Sequence, residues 1–276
     1  MIEIRLHGRG GQGAVTASRI IAAAAYEEGK YSQAIPMYGT ERRGAPLTAF
    51  VRIDNVRVRE RELVHTPDYS ICFDEFISMQ QYIATNVKSG GVVLCNTTLK
   101  PEELPLSGPI KIATVDATSI ALETIGRPIT NTALLGAFAK VTGVVKLESV
   151  EKAIKKYFPG RLGDMNIAAV RKSYKAVTTL VPAKNQVAPK EVVSPEVGGY
   201  GALKDVSSWR VFEPMIDEEK CIGCKTCWIF CPEAALEWKA NNKPSIIDRA
   251  CKGCGVCATE CPVKAIEMVR VKIKKE

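Results

Sequence analysis

Eight of the ten cysteines in this 276-residue chain fall between residues 221 and 261, and one spacing accounts for all eight. Cys221 to Pro232 reads CIGCKTCWIFCP, and Cys251 to Pro262 reads CKGCGVCATECP. Both are C-x2-C-x2-C-x3-C-P, the second 30 residues after the first, so one small unit is built twice. Four soft thiolates at this spacing favour an iron–sulfur cluster or zinc over hard cations. The tight triplet bends around one cube, and the fourth cysteine, before proline, is carried to the other. This pattern places one 4Fe–4S cluster on Cys221, Cys224, Cys227 and Cys261, and a second on Cys251, Cys254, Cys257 and Cys231. Zinc sites more often show paired C-x2-C knuckles, and a disulfide framework does not suit a cytosolic chain. Crossed ligation would tie the halves together and hold the clusters close enough to pass electrons. Ile222, Ile229, Val256, Val263 and Ile266 are expected to give apolar cover that tunes potential.

The other end of the chain opens MIEIRLHGRGGQGAVTASRII. A strand over 2–7 runs into glycines 8, 10 and 13, spelling G-x-G-x-x-G, and a helix over 14–28 follows. Backbone N–H groups at such a helix start favour an anion. A dinucleotide site also wants an acidic residue about 20 positions on, to hold a ribose. Here the second strand ends IPMYGTERRGAP, so Glu41 comes late and Arg42 and Arg43 follow it. Two guanidinium groups suit phosphate or carboxylate, not a ribose diol, and the reading turns away from NAD. Of the two histidines, His7 sits at the mouth of the loop, where a ligand contact is open, and His65 reads as structural. Cys72 and Cys95, within YSICF and GVVLC, read as buried, inert thiols.

Periodicity gives further strands at 31–36, 46–53, 69–73, 91–95 and 111–116, with VRIDNVRV as a hairpin across Asp54-Asn55. Helices are expected at 77–87, 117–125, 130–142, 147–157 and 163–178, the last with Ile167, Val170, Tyr174 and Val177 on one face. Strands alternating with helices predict a layered α/β domain. From about residue 181 the texture turns rich in Pro, Gly, Val and Ser, which reads as an extended linker. The expected organisation is an α/β domain over 1–180, a linker over 181–208 and a small α+β cluster domain over 209–276. No apolar run reaches membrane length and no secretory leader pattern opens the chain, so the cytoplasm is expected and no membrane. The formal charge of +8 is scattered, as on a solvated surface. No helix-turn-helix or basic aromatic platform invites nucleic acid.

LHGRGGQGAVTASRII followed by YGTERRGAPLTAFVRID resembles the gamma domain of 2-oxoacid:ferredoxin oxidoreductases. SWRVFEPMID followed by the two cysteine quartets resembles their delta subunit, and residues 213–270 resemble a bacterial-type two-cluster ferredoxin. The resemblance covers essentially the whole chain, in the order of a fused gamma–delta subunit, and ERRGAP resembles the pyruvate-type gamma subunits more than the 2-oxoglutarate-type ones. It implies oxidative decarboxylation of a 2-oxoacid, with acyl transfer to coenzyme A and electrons leaving through 4Fe–4S clusters to external ferredoxin. By that resemblance thiamine diphosphate, Mg and a third 4Fe–4S cluster belong to partner alpha and beta subunits. No catalytic residue is then expected here. It also puts the gamma domain beside the coenzyme A approach. Gly10, Gly11, Gln12, Gly13, Thr16 and Ser18, with Arg42 or Arg43, become candidate contacts for its phosphates. The alternative is that these residues only pack on the alpha subunit. Pyruvate is the first substrate implied, ahead of branched-chain 2-oxoacids or oxalate. A free ferredoxin-like carrier and an NAD-linked flavoprotein subunit are the other readings.

Overall fold

A computed structural model describes residues 1–37, 44–60, 62–184 and 205–271. Arg42 and Arg43 therefore lie outside the described residues, as does the linker from 185 to 204. The chain divides into two units, the first within residues 1–184 and the second within 205–271, with residues 44 and 45 grouped with the second.

The first unit runs β1 (Ile2–Arg9), α1 (Ala14–Glu27), β2 (Tyr31–Pro36), β3 (Pro46–Asp54), β4 (Tyr69–Cys72), β5 (Val92–Asn96), β6 (Lys111–Val115), α2 (Ala117–Ile125), α3 (Asn131–Thr142), α4 (Leu147–Tyr157), α5 (Arg161–Ala176) and β7 (Val181–Pro182). One mixed sheet has the order β2-β3-β1-β4-β5-β6-β7. Strands β1, β4, β5 and β6 pair parallel in series. Strand β3 lies antiparallel between β1 and β2. The layered α/β architecture is thus as expected. Residues 181–184, read from composition as the start of the linker, instead add to the sheet: β7 pairs with β6, and Lys184 bridges to Ser107.

Alternation along each strand splits the sheet into two faces. Ile4, Leu6, Val51, Ile53, Ile71, Phe73, Leu94, Ala113 and Val115 share one apolar cluster with residues from all five helices. Along β1 the alternate positions are Glu3, Arg5, His7 and Arg9, so its other face is polar. Strands β4 and β5 are buried on both faces, and hence lack the apolar–polar alternation of a half-exposed strand.

Two expected elements do not form. The VRIDNVRV hairpin is absent because β3 already pairs on both edges, with β1 and with β2. No hydrogen-bonding edge remains for Val56–Val58. Asp54 instead binds the N-terminal amine at 3.2 Å. The helix over 77–87 becomes two 3-10 turns, Ile77–Met79 and Gln81–Ala84, with Gln80 extended between them. The carbonyls that would continue a helix are taken by side chains from the sheet. Ser70 Oγ donates to Ile83 O at 2.7 Å and Arg5 Nη2 to Thr85 O at 2.6 Å.

The second unit is the small α+β domain. Strand β8 (Phe212–Ile216) pairs antiparallel with β11 (Ile266–Arg270), and β9 (Leu236–Trp238) with β10 (Pro244–Ile246). Between them lie α6 (Thr226–Ile229) and α7 (Val256–Glu260). The 30-residue repeat is legible in the backbone. Gly223 and Gly253 both have φ +67°; Lys225 and Gly255 both open a helix from the left-handed region; Ala234 and Lys264 share φ near +50°.

Helices α3 and α5 are in direct contact at Gly136, where a Cβ would stand 2.0 Å from Val170 O and 2.4 Å from Ser173 Oγ. Gly136→Ala is therefore expected to lower unfolding free energy by about 2–3 kcal/mol, read as a reduced urea midpoint; an unchanged midpoint would refute this account of the packing.

Candidate metal centres and glycine loop

The C-x2-C turns hold their glycines in the left-handed region, where only glycine is unstrained. The short helices that follow then direct the third cysteine of each triplet inward. Cys231 and Cys261 each accept a backbone N–H on sulfur, from Ala235 at 3.3 Å and Ala265 at 3.2 Å. These are equivalent bonds, 30 residues apart.

The eight thiols line two cavities, and the grouping is crossed. Cys231 shares one cavity with Cys251, Cys254 and Cys257. Cys221, Cys224 and Cys227 share the other with Cys261. The rest of the lining is largely apolar or backbone: Pro214, Leu236, Ile246 and Met268 in one, Ile216, Trp238, Pro244 and Ile266 in the other. Among the described residues no three His, Cys, Asp or Glu side chains converge as they would on a single metal ion. The thiols face one another across a cavity instead, an arrangement that fits a cluster of several atoms. Burial pushes the thiols of Cys227, Cys251 and Cys257 upward, Cys257 to about 11, while Arg210 opposes the shift at Cys251. A hydrogen bond with the Thr226 side chain pulls Cys224 down. Binding iron must displace these protons, so loading is favoured as pH rises.

The expected apolar cover is uneven. Ile266 is buried and Val256 lines the second-quartet cavity. Ile222 and Val263 line the other cavity but remain solvent-exposed, and Ile229 is 66 % exposed.

The glycine loop sits where β1 meets α1, at the carboxyl ends of the parallel strands. Asp74, just beyond β4, is fully buried and knits this loop to the sheet. Its Oδ2 pairs with Arg9 Nε at 3.0 Å and accepts from Gln12 Nε2 at 2.8 Å. Its Oδ1 accepts from Ile77 N at 2.9 Å. Gln12 Oε1 in turn accepts from Arg9 N at 2.8 Å. Both ends of the Gln12 amide thus hold partners within the protein, and Gln12 braces the loop. Ser18 is fully buried a turn inside α1, its hydroxyl donating to Val15 O at 2.8 Å, which removes it from the loop's open side. Gly10, Gly11, Gly13 and Thr16 remain partly or fully accessible, and no side chain caps α1. Gly13, at φ +84°, opens the helix; a Cβ there would stand 2.6 Å from Asn131 Nδ2.

Nothing local in the sequence marks Arg9, Asp74 or Asn131 as parts of this loop. Arg9 is a variable position of the glycine motif, and Asp74 and Asn131 are distant in the chain. The one available signal was the position of Asp74 just past a parallel strand, where open α/β sheets gather site residues. His7 is buried, its ring edge-on to Tyr82 with centroids 5.4 Å apart. A ligand contact is not what this placement offers. Burial likewise pushes the Cys72 and Cys95 thiols far up, which suits inert packing.

Fold and site together define a class: an α/β domain carrying a dicluster iron–sulfur domain on the same chain. Residues 3–176 match the family described as pyruvate ferredoxin/flavodoxin oxidoreductase, and residues 214–268 match the 4Fe-4S dicluster domain. The chain belongs to the pyruvate ferredoxin/flavodoxin oxidoreductase family and holds iron–sulfur clusters. It is 52% identical over 180 residues to the pyruvate synthase subunit PorC of Methanothermobacter thermautotrophicus, covering 65% of this chain and 98% of that one. It is also 52% identical over 177 residues to the pyruvate/ketoisovalerate oxidoreductases common subunit gamma of Pyrococcus furiosus, covering 63% and 96%. The crystal structure of pyruvate oxidoreductase subunit PORC from Thermotoga maritima matches with a TM-score of 0.58 at 42% identity, covering 64% and 97%. Among the described residues no helix is long and apolar enough to cross a membrane.

Burial, then the nearby Arg5 charge, push the His7 pKa down to about 3. An unfolded chain protonates this ring near pH 6.5, the folded chain only near 3. Its neutral state therefore supports the fold fully above about pH 6.5, and that support fades as pH falls toward 3, by up to ~1.4 kcal/mol per pH unit. Urea unfolding followed by far-ultraviolet circular dichroism should show this acid slope, and His7→Phe should remove that part of it. An identical slope in the variant would contradict the assignment.

Proposed function

We propose that this chain is the fused gamma–delta subunit of a pyruvate:ferredoxin oxidoreductase of the pyruvate synthase type, and that it relays electrons from coenzyme A-linked decarboxylation of pyruvate to ferredoxin. The observation that carries this reading is the joining, in one chain, of an α/β domain of the PorC kind and a unit with two four-thiol cavities. The relatives cover about two thirds of this chain and nearly all of their own length, and the family match at residues 3–176 ends before the cysteine quartets. The fusion reading rests on that arithmetic of coverage.

In this reading Cys221, Cys224, Cys227 and Cys261 hold one 4Fe–4S cluster, and Cys231, Cys251, Cys254 and Cys257 hold the other. When bound, the clusters supply one-electron chemistry. The chain's own part is to fix their distance through crossed ligation, to shield them with Leu236, Ile246 and Ile266, and to donate N–H groups from Ala235 and Ala265 to ligand sulfurs. Thiamine diphosphate, Mg and a third cluster are assigned to alpha and beta partners in the cytoplasm. The accessible Gly10, Gly11 and Gly13 backbone, with Thr16 and the arginines of ERRGAP, is the candidate seat for the phosphates of coenzyme A. The Pyrococcus relative, named for both pyruvate and ketoisovalerate oxidoreductases, favours one second reading: the same relay serving a branched-chain 2-oxoacid, with substrate choice made on partner chains.

Co-expressed with its alpha and beta partners, the chain should co-purify in a complex that reduces ferredoxin with pyruvate and coenzyme A. A chain that elutes alone, or a complex active only on another 2-oxoacid in a substrate panel, would overturn the respective part. Replacing both Arg42 and Arg43 by Ala should raise the KM for coenzyme A at least ~10-fold, as loss of charge-assisted contacts predicts, with the KM for pyruvate unmoved. An unchanged constant in an intact complex would leave the loop and arginines as a subunit contact.

A further inference from the structure

The two cysteine cavities are built on one repeated loop, so each serves as a control for the other. Gly223 and Gly253 occupy equivalent places in it, at the same φ of +67°. A Cβ on Gly223 would stand 2.6 Å from Asn242 Nδ2. A Cβ on Gly253 would stand 2.6 Å from Arg210 Cβ, with Phe212 O at 2.1 Å. One loop is thus backed by a neutral, exposed amide and the other by the base of a buried arginine side chain, whose charge is felt at Cys251.

Arg210 is held by groups more exposed than itself. Its Nη1 donates to Asp248 O at 3.1 Å, and its Nη2 pairs with the Asp248 carboxylate and, at 3.4 Å, with Glu213 Oε2. Its Nε is buried without a hydrogen-bond partner among the described residues. The Arg210 side chain is 7% exposed, whereas that of Asp248 is 75% exposed and that of Glu213 37%. Carboxylates on the water side are partly screened, so they cancel part of the cation's field on its buried side and not all of it. Lys252 lines this cavity and its side chain is buried too, paired with Glu233. The other cavity has lysines too, Lys225 over the Trp238 ring and Lys243 on Cys221 O, but Lys225 is exposed and Lys243 half-buried. The asymmetry is in the burial of the charge.

We propose that Arg210 tunes the reduction potential of the cluster held by Cys231, Cys251, Cys254 and Cys257, raising it above what the same site would give without that charge. The inference rests on the ligand assignment made above. Reduction adds one electron to the group and breaks no bond, making an already anionic site more negative, and a nearby cation favours that form.

The test uses the full chain reconstituted with iron and sulfide and titrated with dithionite under electron paramagnetic resonance. Arg210→Gln should shift one cluster's one-electron equilibrium about tenfold toward the oxidised form, which is about 59 mV downward, and leave the other cluster in place. Arg210→Lys should restore most of the shift. Asp248→Asn removes an exposed counter-charge and should move the same cluster upward, the opposite sign. A merely structural Arg210 would not give opposite signs. Unmoved potentials in Arg210→Gln with both clusters assembled would overturn the inference. If that variant loses its cluster, an unmoved or lowered potential in Asp248→Asn overturns it instead. A wild-type chain that takes up iron for one cluster only would sink the ligand assignment, and the inference with it. Full loading with unresponsive potentials sinks the inference alone.

Discussion

Strand β1 has both hydrogen-bonding edges occupied by different partners, antiparallel β3 on one side and parallel β4 on the other. Much of the first unit follows from that. A dinucleotide fold would set its second parallel strand directly beside the first and place a ribose-binding acid at its end. Here β3 takes that edge and pushes β2 one place out. The glycine loop keeps its helix start and its anion-favouring backbone but, among the described residues, has no second parallel strand on that edge to carry a ribose-binding acid. The same arrangement leaves β3 without a free edge, which is why the chain after Asp54 runs on irregularly.

On the β4 side, Asp74 completes the loop. A buried carboxylate is tolerable only when paired and hydrogen-bonded, and Asp74 meets this through Arg9, Gln12 and Ile77 N. The loop is thus fixed from within the protein, so its outward backbone is pre-set rather than ordered by a ligand. The polar face of β1 works the same way. Arg5 of β1, with Ser70 of β4, satisfies carbonyls of the 77–87 segment, which lets an irregular layer cover the sheet.

The second unit uses the same economy twice. Left-handed residues recur 30 positions apart and set two loops of one shape, and the short helices turn the third cysteines inward. Symmetry in backbone does not carry to side chains. Trp228, Ile229 and Phe230 of the first copy correspond to Ala258, Thr259 and Glu260 of the second, and the first three are exposed. Arg210 backs only one loop. Two sites of one geometry therefore stand in different electrostatic surroundings.

The sequence alone determined what depends on local spacing. The cysteine quartets, the glycine turn, and the boundaries of α1, α2 and α4 are properties of consecutive residues, and the resemblance to a fused gamma–delta chain followed from such stretches. Arg42 and Arg43 stay legible only there, since they lie outside the described residues. What only the tertiary structure decided depends on residues far apart in the chain. A strand carries no local mark of which edges will be taken, so the VRIDNVRV hairpin and the 77–87 helix read well and still do not form. The roles of Gln12, Ser18, Asp74 and Arg210 were set by partners that only folding brings near. Burial fixed the state of His7 in the same way, because the cost of a charge depends on what surrounds it and not on its neighbours in sequence.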